Sequence, residues 1–572
     1  MKKRKSRSLR DPMFLRKSGL KGGALGLFEA IKEKGVEVPS IAKGLNFREG
    51  AGKGKHIVVL GAGVAGLTAA YEFLKHNTEY MVTIIEATNR IGGRSLTVRP
   101  GDSFTEVLDG KSITQTCEFD EELGQPYPPY LNCGPGRIPS GHRNVLNYCK
   151  ELNVDLQVYI MESRSNRLYN QKQLKNEEEL RVNWQNRRIA NDTNGYVASY
   201  LYQHLDAVTD LDDDQKEEFR SLLTEFGKLQ EDGSYEGSSR SGYTVLPGVH
   251  TPGEVISPIR FEALLNSAFW KLPFYQPEDF NWQQTSFQPV GGMDMIEKAF
   301  GREIIKMGGE IRLNSAVTSI VPKDSGGYVI TYQRGKIEDE IHADVCISNI
   351  PIPLLDKKLD MSAFSKDYAK ALQAVIGTPN FLEPTCKVGW QADRRLWQDP
   401  EDPNEVPIFG GISWTCDAMV QMWYPSDNFH GDLGVLTGAY NYSKNAADWG
   451  KLTPKERVEL ARKGAATIHG EEFASQLKKG LSIAWQNIPT QKGGWVSWKD
   501  VPNGTDAYNI LIEGDRDFYI TGDQVSHLPG WKEGAMASAL NVWAQVVEVE
   551  EYRAPLVDRL PDTAALVYRN FG

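Results

Sequence analysis

The stretch His56-Ile-Val-Val-Leu-Gly-Ala-Gly-Val-Ala-Gly66 carries the strongest fold signal of this 572-residue chain. Its first five residues form a short apolar run, typical of a parallel strand that is buried on both faces. Three glycines follow in the spacing Gly61-x-Gly63-x-x-Gly66, and the apolar run Val64–His76 predicts a helix directly behind them. Gly61 allows a tight turn, Gly63 lets the backbone approach a pyrophosphate, and Gly66 lets strand and helix pack closely. The stretch therefore predicts the start of a dinucleotide-binding unit.

A second β-branched run, Tyr80–Ile85, completes a β-turn-α-β unit and ends directly before Glu86. Glu86 lies 20 residues after Gly66, where a carboxylate binds a ribose 2′-hydroxyl and disfavours a 2′-phosphate. The N-terminus of the intervening helix offers N–H groups to phosphates, and Ala65 in its first turn is a further candidate contact. The unit by itself predicts a dinucleotide but does not distinguish NAD from FAD.

Composition and charge exclude several other classes of protein. The hydrophobic fraction of 40% and the charged fraction of 24% are ordinary for a globular protein and argue against disorder. The 65 basic and 75 acidic residues give a net charge of −10, which argues against general nucleic-acid binding. The six cysteines form no CxxC and no close Cys/His cluster, so neither a metal site nor a disulfide scaffold is expected.

The N-terminal end of the chain differs from the rest. Residues 2–22 hold nine basic residues and one acid, which predicts a basic extension before the first strand. No apolar run has the length of a signal-peptide core or of a membrane span. We therefore expect a cytoplasmic protein without a transmembrane segment.

Strand signals return far along the chain, which predicts a cofactor domain built from discontinuous segments. The middle of the chain has helical patterns instead, at Tyr196–Val208 and Asp212–Phe226. The later strands are predicted at Glu310–Leu313, Tyr328–Tyr332, Val345–Ile347 and Phe518–Ile520, followed by a helix at about Glu533–Val549.

The stretch Glu86-Ala-Thr-Asn-Arg-Ile-Gly-Gly-Arg94 resembles the signature that follows the dinucleotide fold in the flavin amine oxidase family. That family includes monoamine oxidases, polyamine oxidases, amino-acid 2-monooxygenases and L-amino-acid oxidases. Four more features over residues 55–550 strengthen the resemblance: Gly134-Pro-Gly-Arg-Ile-Pro139, Val290-Gly-Gly-Met-Asp294, Lys387 ten residues before Trp397, and Gly522-Asp523 with Trp531 eight residues later. The first two are similar to the G-P-M-R-[IL]-P and V-G-G-M-D segments of L-amino-acid oxidases. The chain thus most resembles a bacterial FAD-dependent L-amino-acid oxidase.

The resemblance implies a mixed α/β fold, namely a two-dinucleotide-binding FAD flavoprotein with a discontinuous Rossmann-like domain, a mixed substrate domain and a helical insertion. The expected domains are an FAD-binding domain at residues 55–130, 285–350 and 500–550, and a substrate-binding domain at 131–165, 241–284 and 351–499. The helical insertion is expected at 166–240, a basic N-terminal extension at 1–54 and a C-terminal tail at 551–572.

The resemblance also implies roles for four residues at the reaction centre. Arg137 binds the substrate α-carboxylate, because a guanidinium fork matches a planar anion with two hydrogen bonds. Tyr424 adds a phenol hydrogen bond to that carboxylate. Lys387 holds a water near flavin N5, and Trp531 forms a wall beside flavin and substrate. A simple amine has no carboxylate, so Arg137 favours an amino-acid substrate.

Further residues are expected to contact FAD by analogy with the family. They are Gly61, Gly63, Ala65, Gly66, Glu86, Arg94, Gly136, Arg137, Val317, Gly522, Asp523, Trp531 and Met536. No cysteine follows Cys416, so we expect FAD to be bound non-covalently. The chain departs from the family pattern at Gly136, where methionine is usual. It also departs in Ser95–Tyr130, which is longer and more acidic than the family pattern and is expected at the entrance.

The implied reaction is FAD-dependent oxidative deamination of an L-amino acid. A hydride passes from the α-carbon to flavin N5, oxygen reoxidises the flavin to give hydrogen peroxide, and the imino acid hydrolyses to a 2-oxo acid and ammonia. Three alternatives stay open: an amino-acid 2-monooxygenase that yields the amide, an amine oxidase on a non-amino-acid substrate, and a non-catalytic flavoprotein scaffold. The expected partners are an L-amino acid, O2 and a second copy of the chain in a homodimer. A broad or aromatic side-chain preference is expected, since no carboxylate for a cationic side chain can be placed in the sequence.

Overall fold

The computed structural model describes residues 52–75, 78–174, 178–282, 285–400 and 406–551. The predicted basic extension lies outside these residues except for its last three positions, and the predicted tail except for its first. In the described part, no helix is both long and apolar enough to cross a bilayer. The same residues contain no cluster of three or more His, Cys, Asp or Glu side chains arranged to hold a metal ion.

A five-stranded parallel sheet collects strands from both ends of the chain. In spatial order the strands are Glu310–Arg312, Met81–Ile85, His56–Leu60, Val345–Ser348 and Phe518–Ile520. The strand His56–Leu60 is central, and every residue after its first is buried, as its unbroken apolar run predicts. The five strands agree with the predicted positions, so the discontinuous Rossmann-like fold is confirmed.

Three helices cover one face of this sheet, and an antiparallel meander covers the other. The helices Val64–Lys75, Met295–Lys306 and Lys532–Glu551 share an apolar core with the strands. The meander consists of Ala316–Pro322, Tyr328–Arg334 and Ile337–Ala343, and it packs in a second core. Successive side chains of a strand point to opposite faces, so Ile57 packs toward the helices and Val58 toward the meander.

A seven-stranded, mostly antiparallel sheet forms the second large element of the fold. In spatial order its strands are Glu179–Gln185, Arg167–Gln173, Ile412–Thr415, Gln421–Trp423, Gly434–Tyr442, Thr385–Ala392 and Leu477–Ala484. The helix Pro454–His469 packs against it, and a capping box between Thr453 and Glu456 defines the start of that helix.

The predicted helical insertion at 166–240 contains helices but begins with strands. Arg167–Gln173 and Glu179–Gln185 form one edge of the seven-stranded sheet. Few of their residues are buried, and Leu168 and Val182 are among them. The other residues of these two strands are mostly polar. The strands are therefore hard to recognise in the sequence, because a half-exposed strand shows only a short alternation of apolar and polar residues.

Two helices follow these strands, Asn186–Gln203 and Asp213–Gly227. The first begins ten residues before the predicted Tyr196. The second agrees with its prediction, and the Asp212 side chain accepts the N–H of Gln215 in a capping box at its start. The two helices pack on each other around Ala198 and Leu223.

The remaining elements are short. The other strands pair as Ile138–Pro139, Thr285–Pro289 and Leu156–Ile160 in one sheet, and as the pairs Thr97–Val98 with Leu131–Asn132, Ser103–Leu108 with Lys111–Thr116, Tyr243–Val245 with Glu254–Val255, and Leu382–Glu383 with Trp495–Val496. The other α-helices are Arg143–Glu151, Phe261–Ser267, Lys366–Ile376, Ser443–Trp449, Glu471–Ser475 and Gly504–Leu511. Short 3₁₀ turns occupy Leu205–Ala207, Phe269–Lys271, Gln276–Glu278, Phe280–Trp282, Ile352–Leu355, Trp485–Asn487 and Asp523–Val525.

Candidate active site

A cavity of about 420 Å³ lies between the parallel sheet and the seven-stranded sheet. The carboxyl ends of the parallel strands border it, which is where open α/β sheets bind their ligands. All predicted site residues except Gly66, Tyr424 and Met536 lie on its wall. We call this space the large cavity.

The glycine loop at one part of this wall has no room for side chains. Gly61 has a φ of +100°, a left-handed backbone angle that glycine adopts without strain. A Cβ at Gly63 would lie 2.7 Å from Nδ2 of Asn349, and a Cβ at Gly66 would lie 2.2 Å from the carbonyl oxygen of Gly61. Gly61 and Gly63 leave the backbone open to a ligand, whereas Gly66 lets the helix pack against the loop.

The Glu86 carboxylate is fixed at the end of its strand. Glu86 is buried, and it accepts hydrogen bonds from the backbone N–H groups of Ala62 and Thr88, both at 2.8 Å, and from the Thr88 hydroxyl at 2.6 Å. Val317 lies on the same wall, in a strand whose register shifts directly after it. A carboxylate has about four lone-pair sites, so Glu86 keeps capacity for a ribose hydroxyl.

Arg94 and Asp523 join two distant parts of the chain on the cavity wall. Their side chains form an ion pair, and Nη1 of Arg94 also donates to the carbonyl oxygen of Gly494 at 2.8 Å. Asp523 follows Gly522, whose φ is +118°, and accepts the N–H of Gly530 at 2.8 Å. The pair therefore fixes the loops of both predicted flavin motifs against each other.

Arg137 is 5% exposed and surrounded by tryptophan rings. Its guanidinium carbon lies 4.3 Å from the ring centre of Trp282, 4.9 Å from that of Trp423 and 5.7 Å from that of Trp531. The Tyr159 hydroxyl lies beside the guanidinium without a hydrogen bond of ordinary geometry, and Nε of Arg137 has no partner among the described residues. No carboxylate of those residues pairs with Arg137. Burial lowers the pKa of the guanidinium, because removing the cation from water costs free energy.

Lys387 lies beside this arginine and is also buried. Its Nζ donates to the carbonyl oxygens of Asn132 at 3.1 Å and Gly134 at 2.6 Å, and it lies 4.7 Å from the ring centre of Trp423 and 4.9 Å from that of Tyr440. Burial, with a smaller contribution from the Arg137 charge, lowers the pKa of Lys387 to about 7. This lysine fixes the backbone that leads to Arg137 and titrates near neutral pH.

Trp531 contacts two aromatic residues edge to face. Its ring centre lies 5.5 Å from that of Trp282 and 4.8 Å from that of His142. Burial and the nearby Arg137 lower the pKa of His142 to about 4, so this imidazole is neutral over the physiological range. Trp531 is therefore held rigidly at the wall of the cavity.

Tyr424 lies away from the large cavity. Its hydroxyl makes hydrogen bonds with Oγ of Ser413 at 2.8 Å and Nε2 of His469 at 2.6 Å. The preceding residue, Trp423, is the last residue of the strand Gln421–Trp423 and lies on the wall of the large cavity. Tyr424 lines a second, smaller cavity next to the large one, and its contact with the substrate carboxylate stays a prediction.

Met536 does not line the large cavity either. Its side chain is fully buried in the core between the parallel sheet and its helices, whereas Ala535 lies on the cavity wall. Neighbouring residues of a helix point about 100° apart, so a shift of one position moves a side chain from wall to core.

Three aromatic residues of the site have no separate sequence signal. Trp282, Trp423 and Tyr440 line the large cavity, but they come from a 3₁₀ turn and two strands that no motif marks. The only hint in the sequence is the number of tryptophans, 13, which a large core also explains.

The position of Trp423 explains why residue 136 is a glycine. A Cβ at position 136 would lie 2.5 Å from Cζ3 of Trp423, so the tryptophan ring fills the space that a side chain would occupy. The departure from the family pattern at Gly136 is therefore matched by a large ring across the site. It does not leave an enlarged pocket at that point.

Comparison with known proteins finds a matching family and proteins of similar sequence and fold. The model of the family described as flavin containing amine oxidoreductase matches residues 64–547. An L-amino-acid oxidase of Siganus canaliculatus is 25% identical over 495 residues, which cover 85% of this chain and 84% of that protein. The putative L-amino-acid oxidase YobN of Bacillus subtilis (strain 168) is 23% identical over 509 residues, 86% of this chain and 94% of that protein. The solved structure of cyclohexylamine oxidase from Brevibacterium oxydans IH-35A has a similar fold, with a TM-score of 0.52, 15% identity, and coverage of 87% of this chain and all of that one.

Proposed function

The chain belongs to the flavin-containing amine oxidoreductase family and uses FAD, and we propose that within this family it catalyses the oxidative deamination of L-amino acids. The proposed products are a 2-oxo acid, ammonia and hydrogen peroxide, with O2 as the electron acceptor. The similarity to two proteins named L-amino-acid oxidases over most of their length supports this substrate class.

Arg137 is the observation that carries the proposal. Removing an ion of this size from water costs several kcal/mol unless a partner compensates it. The described residues offer Arg137 three aromatic faces and no carboxylate. A substrate α-carboxylate supplies the missing partner, and a guanidinium binds such a planar anion with two parallel hydrogen bonds. An amine without a carboxylate would leave the buried charge uncompensated.

The wall of the large cavity fits FAD. Gly61 and Gly63 leave room for a pyrophosphate where a Cβ would collide or strain the backbone, and the fixed carboxylate of Glu86 suits a ribose hydroxyl. Burial raises the pKa of the wall residue Cys133 to about 12, which keeps it a neutral thiol and favours non-covalent binding. When bound, FAD supplies the acceptor for the hydride of the amino-acid α-carbon.

The side chains around Arg137 then position the substrate. Arg137 holds the carboxylate, and the rings of Trp282, Trp423 and Trp531 exclude water from that ion pair, which strengthens it. Lys387 uses two hydrogen-bonding positions on carbonyl oxygens and retains one of its three, which is the place we propose for the water. Fixing the carboxylate fixes the α-carbon, so orientation rather than a dedicated base accounts for the rate.

Product analysis with purified protein tests the function directly. The FAD-loaded enzyme is supplied in air with a panel of L-amino acids and with the amines that lack their carboxylates. We expect peroxide, ammonia and the 2-oxo acid in equal amounts from amino acids, and at least 100-fold lower kcat/KM with the amines. The matched amine of each amino acid serves as the control for side-chain binding.

Other outcomes would select other functions. An amide without stoichiometric peroxide would identify an amino-acid 2-monooxygenase, and turnover of amines alone would refute the role of Arg137. An FAD-loaded protein that is bleached by neither class would indicate a scaffold. The homodimer stays a prediction, which size measurement in solution with the same preparation checks.

A further inference from the structure

A second, smaller cavity of about 100 Å³ adjoins the large one. Both cavities are lined by Gly136, Lys387 and Trp423, so they meet at these residues. The smaller cavity is also lined by residues of the segment Ser95–Tyr130, the one that is longer and more acidic than the family pattern. The glycine loop lines the large cavity and not the smaller one.

Two of the acidic side chains on the wall of the smaller cavity already have partners within the protein. Asp120 forms an ion pair with Lys479. The Glu122 carboxylate accepts the backbone N–H groups of Asp432 at 3.0 Å and Leu433 at 3.2 Å. Neither acid needs a ligand to satisfy its charge.

Asp427 is the third acid on this wall, and its carboxylate makes no direct ion pair with any described residue, although Arg395 lines the same cavity. Its one side-chain partner among them is the hydroxyl of Tyr127, which donates at 3.2 Å. Arg395 lies near Asp427, but its guanidinium donates to the backbone carbonyl oxygens of Asp427 and Leu433, both at 2.9 Å, and to the side chain of Gln398. Burial raises the pKa of Asp427, and the nearby charge of Arg395 and the hydrogen bond from Tyr127 offset this effect only in part.

Polar groups without partners also line this cavity. Gln288 is 5% exposed, and its amide nitrogen has no hydrogen-bond partner among the described residues. The two atoms of an amide can exchange places, so Gln288 can present either a donor or an acceptor to a ligand. Tyr159 also lines this cavity, and both the cation of Arg137 and the anion of Asp427 affect the pKa of its hydroxyl. A ligand with an anion at one end and a cation at the other matches this arrangement.

We propose that the smaller cavity is a side-chain subsite for L-amino acids with a cationic end, such as an ammonium or guanidinium group. In this arrangement Arg137 holds the α-carboxylate, the aliphatic stem lies along the ring of Trp423, and Asp427 with Gln288 receives the cation. The proposal rests on the function proposed above and specifies its substrate class. It replaces the broad or aromatic preference expected from the sequence, because the structure supplies the carboxylate that the sequence could not place.

The test compares L-arginine with L-citrulline, which has nearly the same shape and no charge. At pH 8.5 both Arg137 and the arginine side chain are charged, and Lys387 is largely neutral. In the wild-type enzyme we expect kcat/KM for L-arginine to exceed that for L-citrulline at least tenfold. In Asp427→Asn this ratio falls to near one, mainly through a higher KM for L-arginine. Equal values for the two substrates in the wild-type enzyme overturn the proposal, whatever the variants show.

Asp432→Asn is the matched control, because it removes the same charge from an exposed position of the same loop. We expect it to keep the wild-type ratio, and a ratio that collapses in both variants would indicate a general electrostatic effect and overturn the subsite. FAD content and Tm show whether each variant is folded. If Asp427→Asn does not fold, the ratio of the two kcat/KM values in the wild-type enzyme decides the test. Oxidation of neutral amino acids without preference for cationic ones would refute the subsite alone, whereas oxidation of no amino acid would refute the proposed function.

Discussion

Arg457 and Arg137 are both buried, but the protein treats their charges in opposite ways. Arg457 is fully buried, and Nη2 donates to both carboxylate oxygens of Glu106, at 2.7 and 2.8 Å. Its other nitrogens donate to Oγ of Ser482 at 2.7 Å and to the carbonyl oxygen of Leu452 at 2.9 Å. Arg137 is 5% exposed and has three tryptophan faces instead of an acid.

The difference shows how a buried charge can be assigned a role. Where the fold supplies the counter-ion and the hydrogen-bond acceptors, as for Arg457, the charge joins elements: here the strand that carries Glu106, the helix that carries Arg457 and a strand of the seven-stranded sheet. Where the fold supplies no counter-ion, as for Arg137, an anionic ligand that binds can compensate the buried charge. Arg457 is therefore expected to act on stability and Arg137 on substrate binding. Variants that showed the reverse would contradict this distinction.

The largest effect is expected for Arg137→Met. Loss of a desolvated charge pair with the substrate costs about 4 kcal/mol, which lowers kcat/KM for L-amino acids by about 10³-fold. Tm and FAD content stay at wild-type values, because no internal partner loses its cation. Steady-state kinetics and thermal unfolding of the same preparation check both parts. A large loss of Tm with unchanged kinetics would show that Arg137 is a structural arginine like Arg457.

Arg457→Met is expected to give the opposite result. It leaves the Glu106 carboxylate buried without a cation, which costs about 3–5 kcal/mol of folding free energy. The Tm falls by several degrees, while kcat/KM per FAD-loaded molecule stays within about twofold of the wild type. The double variant Glu106→Gln with Arg457→Met regains most of the Tm, because it removes both charges. A double variant that is no more stable than the single one would contradict the ion-pair explanation.

A smaller effect is expected at Gly136, where the surroundings of Arg137 are packed most tightly. In Gly136→Ala the new Cβ meets Trp423 at 2.5 Å and displaces the ring that covers the guanidinium. Overpacking of this kind costs typically 1–3 kcal/mol, and we expect a roughly tenfold lower kcat/KM with FAD retained. Adding Trp423→Phe to the same chain makes room and restores most of the activity. Wild-type kinetics in Gly136→Ala would show that Trp423 need not hold its position.

The elements that can be predicted from the sequence are those that depend on residues close together in the chain. The strand His56–Leu60, the turn at Gly61 and the carboxylate of Glu86 follow from short runs of sequence, because strand burial and turn geometry depend on neighbouring residues. Arg137 and Lys387 were placed by short motifs, and both lie on the wall of the large cavity.

The rest of the site depends on which way side chains face, and this is decided by packing between distant elements. Trp423 and Tyr424 are adjacent, and only the packing around the strand that ends at Trp423 determines that Trp423 lines both cavities and Tyr424 the smaller one. Trp282 reaches Arg137 from a point 145 residues further along the chain, and Asp427 belongs to a loop without any motif. Such contacts leave no pattern in one sequence.

The smallest expected effect is the pH dependence that Lys387 adds beside Arg137. Its pKa is about 7 in the folded protein, because of burial first and of Arg137 second, against an ordinary value of 10.5. Between these values the unfolded chain holds one proton more than the folded protein, so this lysine contributes stability that increases as pH rises from 7 to 10. The Tm of the wild type should therefore rise relative to that of Lys387→Met over this range. Thermal unfolding of both proteins at half-unit pH steps measures the gap, with Lys479→Met as the control because Lys479 is paired with Asp120 near the surface. Parallel Tm curves for the wild type and Lys387→Met would mean that Lys387 keeps its proton, and that Arg137 tolerates a second full charge beside it.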